Sequence, residues 1–131
     1  MAKANLSHTN LSETNLSNAN LIEADLTEAN LSKADLHDAY SPDAEWTAVN
    51  LSGADLRWVD FSWSVLSEAS FTGVDLSETL NLSPKQVESA EIDRATQLPP
   101  YLEINWKGKG EYEVKKMIEK KTKRKKTKKK Y

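Results

Sequence analysis

The fold of this chain is decided by a five-residue unit that residues 19–28 show twice, in the stretch ANLIEADLTE. Each unit has a small residue, then Asn or Asp, then a large apolar residue and two further positions. The large residue recurs at every fifth position from Leu6 to Leu76 in 14 of 15 slots, and Ser41 is the exception. A period kept without a slip is the signature of a repeat protein.

A period of five fits neither an α-helix nor a flat strand. Five helical residues turn about 500°, so the leucines would wind around the rod. On a strand, an odd spacing sends alternate leucines to opposite faces. A chain that turns about a quarter circle in each unit directs every leucine to one axis, with coils stacked about 4.8 Å apart. The spacing therefore predicts an all-β solenoid of about four coils.

The other slots support this prediction. The residue two before each large one is small in all 15 units, as a narrow packed tube requires. Asn or Asp comes next in 11 of 15 units, and Ser or Thr follows the large residue in 11 of 15. These types bond their own backbone and favour turns, which suits a corner in every unit.

The units Ala19-Asn20-Leu21 and Ala24-Asp25-Leu26 resemble the A(D/N)LXX consensus of the pentapeptide-repeat family, over roughly residues 4–80. The resemblance implies a right-handed quadrilateral β-helix, and it implies little about function because the fold is a scaffold. Residues 82–106 resemble the C-terminal cap of small family members, with a Thr96-Gln97-Leu98-Pro99 step and a closing Trp106. The chain departs from that cap at Ile92, where the family pattern has Gly.

The sequence predicts three segments. Residues 1–81 form the β-helix, residues 82–106 a cap, and residues 107–131 a disordered polybasic tail. In the cap, Ser83-Pro84-Lys85-Gln86 is typical of a capping box, so a short helix is expected to run to about Arg94 before an extended arm. Residues 1–106 carry 5 basic and 17 acidic side chains, whereas residues 107–131 carry 13 basic and 3 acidic ones.

Composition limits the classes of function. The chain has no apolar stretch long enough to span a membrane and no charged-then-apolar signal at Met1, so a cytoplasmic protein is expected. The absence of cysteine excludes disulfides and thiol chemistry. Repeats begin almost at Met1 without a cap. We therefore expect a monomer or a homodimer through the N-terminal edge, or else a fragment of a longer chain.

Large aromatic residues in outward slots form a candidate protein-docking patch. Stacking positions 20 apart brings Tyr40, Trp58 and Trp63 to one corner, with Arg57 and His37 beside them. Exposed aromatics with a polar rim mark binding surfaces. The alternative interpretation is that the arm ending in Trp106 folds back and covers the patch.

Three further positions have a structural and a functional interpretation. Ser41 is expected to compensate for the larger Phe61 in the next coil, and a bulge that re-aims Tyr40 is the alternative. The column of Asp35, Asp55 and Asp75 is expected to bond turn amides, and a cation site is the alternative. Neither histidine has metal-ligand spacing in the sequence, and we found no catalytic constellation and no cofactor motif.

The basic tail is a candidate polyanion-binding segment, because from Lys115 to Lys130 only Glu119 is acidic. Its cations are Lys115, Lys116, Lys120, Lys121, Lys123, Arg124, Lys125, Lys126, Lys128, Lys129 and Lys130. Its partner would be nonspecific nucleic acid or an anionic membrane surface. The alternatives are that the segment is a localisation signal, that it docks on the acidic rod of its own chain, or that it has no function. The sequence as a whole indicates a non-enzymatic protein-binding scaffold. The rivals are a DNA-mimicking protein that acts on gyrase, as the family resemblance implies for some members, and a nucleic-acid binder.

Overall fold

The repeats form four stacked coils of a quadrilateral β-helix. The computed structural model describes residues 2–108 and 110–117. Parallel bridges join residues 20 positions apart, as in the column Asn5, Asp25, Glu45 and Val65. Each five-residue unit thus forms one side of the square, which confirms the coil length expected from the repeat.

Each corner is a turn closed by a backbone hydrogen bond, such as the one from Ala24 N–H to the Leu21 carbonyl at 3.0 Å. The third residue of the turn has positive φ. Thirteen non-glycine residues occupy this position between Lys3 and Glu68 with φ of 57° to 66°, and Gly53 and Gly73 have φ of 70° and 71°. Only Gly and, to a lesser degree, Asn and Asp adopt this conformation at low cost.

The Asn or Asp before each large residue stabilises the corner. Its Oδ1 accepts the backbone N–H two residues later, as in Asp25 to Thr27 at 3.0 Å. Asp35, Asp55 and Asp75 accept such bonds at 3.2, 3.2 and 2.9 Å. The expectation that this aspartate column bonds turn amides is confirmed.

The core is the inside of the tube, where the large residues are buried from Leu16 to Leu76. Ser41 is also fully buried, and Tyr40 keeps its bridges to Asn20 and Asp60, so no bulge interrupts the coil. The Ser41 hydroxyl donates to the Asp60 carbonyl at 2.9 Å. Phe61 stands in the next coil of the Ser41 column, and its ring meets that of Trp46 edge-on.

The cap begins with helix α1, Pro84–Ser89, and its capping box is formed by Ser83 and Gln86 as expected. The helix ends at Ser89, not near Arg94, because Glu91 returns to the parallel ladder beside Ser70. A β-bridge cannot form from helical backbone, so the turn after Ser89 has to be extended.

The tail prediction is wrong for residues 107–117. Strand β1, Leu102–Gly108, pairs antiparallel with strand β2, Glu111–Lys116, in the register Ile104 to Val114 and Trp106 to Tyr112. Val114 is buried against the cap, and this burial explains why basic residues here join the fold. The predicted disordered segment 118–131 lies outside the described residues.

The cap closes the open backbone edge of the last coil. Gln86 Nε2 donates to the carbonyls of Phe61 and Ser64, both at 2.8 Å. Thr96 Oγ1 donates to the Phe71 carbonyl at 2.8 Å, and the Tyr101 hydroxyl donates to the Thr79 carbonyl at 3.0 Å. The cap thus gives a hydrogen bond to the Ser64 and Thr79 carbonyls and a second one to the Phe61 and Phe71 carbonyls, which already accept turn N–H groups, and so covers the backbone edge of the last coil.

Within the residues that the structure describes, we find no helix with the length and apolar character needed to cross a membrane.

Candidate functional site: an aromatic face bordered by carboxylates

One side of the rod carries the large exposed aromatic residues Tyr40, Trp58 and Trp63. Tyr40, Asp60 and Leu80 form a column along the middle of this side through successive bridges. Trp58 and Trp63 occupy the consecutive corners at its two edges. We name these five residues the aromatic face.

The aromatic face is open to solvent. Trp63 is 82% exposed, Tyr40 and Trp58 are each 50% exposed, and Leu80 is 39% exposed. The interpretation that the arm covers this patch is wrong. Trp106 instead packs on Tyr112 with ring centroids 5.1 Å apart, and Arg94 lies 4.8 Å from the Trp106 ring centroid.

Both tryptophans occupy strained backbone positions. Trp58 has φ of 66° and Trp63 has φ of 59°, where bulky side chains are uncommon. The left-handed conformation costs a residue with a Cβ about 1–2 kcal/mol. Trp63, at 82% exposed, repays little of this cost through burial, whereas the half-buried ring of Trp58 repays part of it.

Carboxylates border each tryptophan along the axis of the rod. The backbone bonds from Asp38 N to the Arg57 carbonyl and from Trp58 N to the Glu78 carbonyl place Asp38 and Glu78 in the coils on either side of Trp58. Asp43 precedes Trp63 by one coil at the other corner. An aromatic ring beside carboxylates attracts cations, because the ring face has a negative electrostatic potential and the carboxylates are negatively charged.

Asp60 holds the middle of the face with a negative charge. Burial raises the pKa of its carboxyl, but hydrogen bonds from Ser62 and Asn81 outweigh that effect and lower the pKa below its ordinary value. The Ser62 N–H and the Asn81 Nδ2 lie 2.9 and 3.1 Å from Asp60 Oδ1. The aromatic face is therefore anionic at neutral pH.

A groove separates the cap from the Leu80 end of the aromatic face. Two adjoining cavities of about 450 and 560 Å³ share Asn81, Ser83 and Lys116 as lining residues. Leu80 and Tyr101 line the first cavity, and Trp63 lines the second. Strand β2 thus ends beside the aromatic face.

His37 and Arg57 directly precede Asp38 and Trp58 in the corner turns, and their side chains bond aspartates of the neighbouring side of the rod. His37 Nδ1 is 2.7 Å from Asp35 Oδ1, and Arg57 Nη2 is 2.7 Å from Asp55 Oδ2. The hydrogen bond to Asp35 raises the pKa of His37, and the bond to Arg57 lowers the pKa of Asp55. These two residues belong to a charged cluster and not to the aromatic face.

That cluster also brings together three groups able to ligate a metal. Oxygen or nitrogen atoms of Asp35, His37 and Asp55 all lie within 4.8 Å of one another. This grouping was missed in the sequence, because Asp55 comes from the next coil and only Asp35 is close to His37 along the chain. A cation bound here would displace the Arg57 guanidinium, whose Nε and Nη2 both bond Asp55.

Sequence reasoning found the three aromatic residues but missed other members of this surface. Asp60 and Leu80 lie 20 and 40 residues after Tyr40, so the repeat spacing was sufficient to place them in the same column. Val65, 42% exposed, lies just past the Trp63 corner. Lys116 was predicted to belong to the disordered tail. It lines the groove because strands β1 and β2 form a hairpin, which the run of basic residues did not predict.

Only two of the eleven predicted polyanion-binding Lys and Arg residues lie in the described part of the chain. Lys115 and Lys116 are exposed on β2, and Lys115 Nζ is 4.0 Å from Glu113 Oε1. The other nine lie outside the described residues: Lys120, Lys121, Lys123, Arg124, Lys125, Lys126, Lys128, Lys129 and Lys130.

Comparison with solved structures supports the coil architecture. The chain is similar to a pentapeptide repeat protein from the thylakoid lumen of Arabidopsis thaliana, with 25% identity, a TM-score of 0.60 and coverage of 72% of this chain and 61% of that one. It therefore spans less than two thirds of that protein's length.

Two cyanobacterial proteins are also similar. Rfr23 from Cyanothece 51142 is 20% identical, with a TM-score of 0.33 and coverage of 72% and 84% of the two chains. HetL from Nostoc, a protein involved in the regulation of heterocyst differentiation, is 25% identical, with a TM-score of 0.38 and coverage of 76% and 55%. No curated protein sequence matches the chain.

The family model for pentapeptide repeats matches eight copies at residues 1–39 and 46–80, more than half of the chain. The gap between the two matches contains Ser41, the slot where the apolar repeat is broken. The repeat, the four-sided coils and this match agree, and the chain belongs to the pentapeptide repeat family and folds as a right-handed quadrilateral β-helix.

Proposed function

We propose that this protein is a non-enzymatic scaffold that binds a protein partner through the aromatic face. Pentapeptide repeat proteins are generally structural or interaction modules. The observation that carries the proposal is the exposure of Trp58 and Trp63 at corners with positive φ. Tryptophan is costly for the fold at such positions, whereas exposed tryptophan and tyrosine are the residues that dominate protein interfaces.

Site-specific photo-cross-linking in an extract of the source cells tests this function. A photoreactive phenylalanine analogue at position 63 should capture one protein that the same analogue at position 33 does not. Lys33 is a matched control, because it is an exposed corner residue with φ of 58° on the opposite edge of the rod.

The captured protein should bind the purified full chain and lose that binding on Trp58→Asn with Trp63→Asn. Equal cross-linking from positions 63 and 33, or unchanged binding by the double variant, would contradict the proposal.

The charge of the rod favours a second candidate, a DNA mimic that acts on gyrase. Residues 1–106 carry 17 acidic side chains against 5 basic ones, and Asp35, Asp55 and Asp75 stack in one column at 20-residue spacing. A supercoiling assay with the full chain tests this candidate, since truncation at residue 106 would remove β2. Unchanged gyrase activity at micromolar protein would exclude it.

A further inference from the structure

We propose that the aromatic face is the docking site for the chain's own basic segment, residues 118–131. The inference uses the face assigned above but requires no external partner. Binding of the segment would cover Trp58 and Trp63 and compete with any other ligand of the face. The proposal rests on where the described chain stops, on charge and on the chemistry of the two surfaces.

The described chain stops at the edge of this face. Met117 N–H donates to the Tyr101 carbonyl at 3.0 Å, and Tyr101 and Lys116 line the same cavity as Leu80. Lys116 also lines the cavity that contains Trp63. The described chain therefore ends beside the groove that leads onto the face.

The segment is long enough to cross the whole face. Fourteen residues span at most about 46 Å when extended, whereas two coil spacings, from Leu80 to Tyr40, are about 10 Å. A short tether of this kind gives an effective concentration on the order of millimolar. Weak contacts are therefore sufficient for docking.

The charges of the two partners are opposite. Residues 118–131 contain nine Lys or Arg residues and one acidic residue, Glu119. The face offers Asp60 in its centre, Asp38 and Glu78 beside Trp58, and Asp43 beside Trp63. Lys and Arg also bind the open faces of tryptophan and tyrosine through cation–π contacts.

The indole N–H signals of the full chain in a ¹H–¹⁵N NMR spectrum test this proposal with internal controls. Trp46 is fully buried and Trp106 is held by Tyr112, so neither should respond to the segment. The comparison protein is a full-length variant in which the nine Lys and Arg residues from Lys120 to Lys130 are changed to Gln.

At about 0.01 M salt, where the Debye length is about 30 Å, the Trp58 and Trp63 signals should differ between the two proteins. At about 1 M salt, where that length is about 3 Å, the difference should vanish. Identical Trp58 and Trp63 signals at low salt would overturn the proposal. A difference that disappears on dilution would also overturn it, because the segment would then dock on a second copy.

Affinity for duplex DNA separates docking from a free polyanion-binding segment. If the segment is docked nine-tenths of the time, Trp58→Asn with Trp63→Asn should release it and tighten DNA binding about tenfold. Ala48→Asn is the matched control, since Ala48 is a corner residue of the same coil, diagonally opposite Trp58, with φ of 58°. Equal DNA affinity of all three proteins would contradict docking, and it would leave the cross-linking result unaffected.

Discussion

Trp46 meets Phe61 edge-on inside the tube, with ring centroids 5.5 Å apart and an angle of 71° between the ring planes. Both rings are larger than the leucine that most units place there, and Ser41, five residues before Trp46 and 20 before Phe61, is smaller. The hydroxyl of Ser41 is satisfied by the Asp60 carbonyl, and the Ser41 carbonyl accepts from Ser64 Oγ at 2.7 Å. The volumes of neighbouring slots are therefore balanced between coils.

This balance predicts that Ser41→Leu, which restores the repeat consensus, destabilises the protein. Overpacking a filled core costs about 1–3 kcal/mol in the free energy of unfolding. Trp46→Leu in the same chain should recover part of the loss by returning space to the coil. Urea unfolding of the two variants measures this effect, and a Ser41→Leu protein as stable as the wild type would show that the tube is not filled at this point.

Gln86 is predicted to be the most important polar side chain of the cap. Its side chain accepts from Ser83 N–H and donates to the carbonyls of Phe61 and Ser64. Gln86→Ala removes this partner from the Ser83 N–H and the Ser64 carbonyl and takes one of two hydrogen bonds from the Phe61 carbonyl, which should cost about 1–3 kcal/mol. Lys85→Ala, one residue earlier and exposed on the same helix, is the control and should change the stability little. Equal effects of the two substitutions on thermal unfolding would contradict this role.

The His37–Asp35 pair predicts two pH windows for stability. The pKa of His37 is raised by Asp35, so its contribution is complete below the ordinary histidine value of about 6.5 and is lost as pH rises through the folded pKa. The pKa of Asp35 is lowered by its hydrogen bonds to His37, so its contribution is lost as pH falls below the ordinary aspartate value of about 3.9. NMR titration should show a lower His37 pKa in Asp35→Asn, and an unchanged pKa would contradict the pairing.

Alanine substitutions at the corner glycines Gly53 and Gly73 distinguish the cost of backbone strain from the cost of steric contact. Gly53 and Gly73 have φ of 70° and 71°, and alanine at either position should cost about 1 kcal/mol. An added Cβ at Gly53 would also lie 3.3 Å from Lys33 Cγ, whereas one at Gly73 meets nothing within 4 Å. Chemical unfolding should rank Gly53→Ala as the less stable of the two, and the reverse order would contradict this view of the corner.

The sequence predicted the coils well, because the repeat itself encodes them. Each leucine specifies an inward slot, each Asn or Asp a bonded corner, and 20-residue spacing brings Tyr40 above Asn20. The cap helix was predicted from local signals at Ser83 and Gln86. Its end was not, since Glu91 leaves the helix to pair with Ser70, a contact between distant parts of the chain.

The hairpin was missed for a related reason. Lys115 and Lys116 belong to a run of charge that predicts disorder, yet Val114 between Tyr112 and these lysines is buried against the cap. One apolar residue opposite Ile104 is a weak signal in a basic stretch. The sequence therefore predicted the part of the candidate site that the repeats form, including Tyr40, Trp58 and Trp63. It did not predict the part where strand β2 brings Lys116 to the groove.

The central claim is that Trp58 and Trp63 serve binding and not folding, and the free energy of unfolding of the full chain with Trp58→Asn and Trp63→Asn tests it most directly. Asparagine tolerates positive φ better than tryptophan does, and both rings are exposed. The account predicts that urea unfolding finds the double variant at least as stable as the wild type. A loss of more than about 1 kcal/mol, the size of a typical destabilising substitution, would show that the two rings support the fold and would contradict the claim.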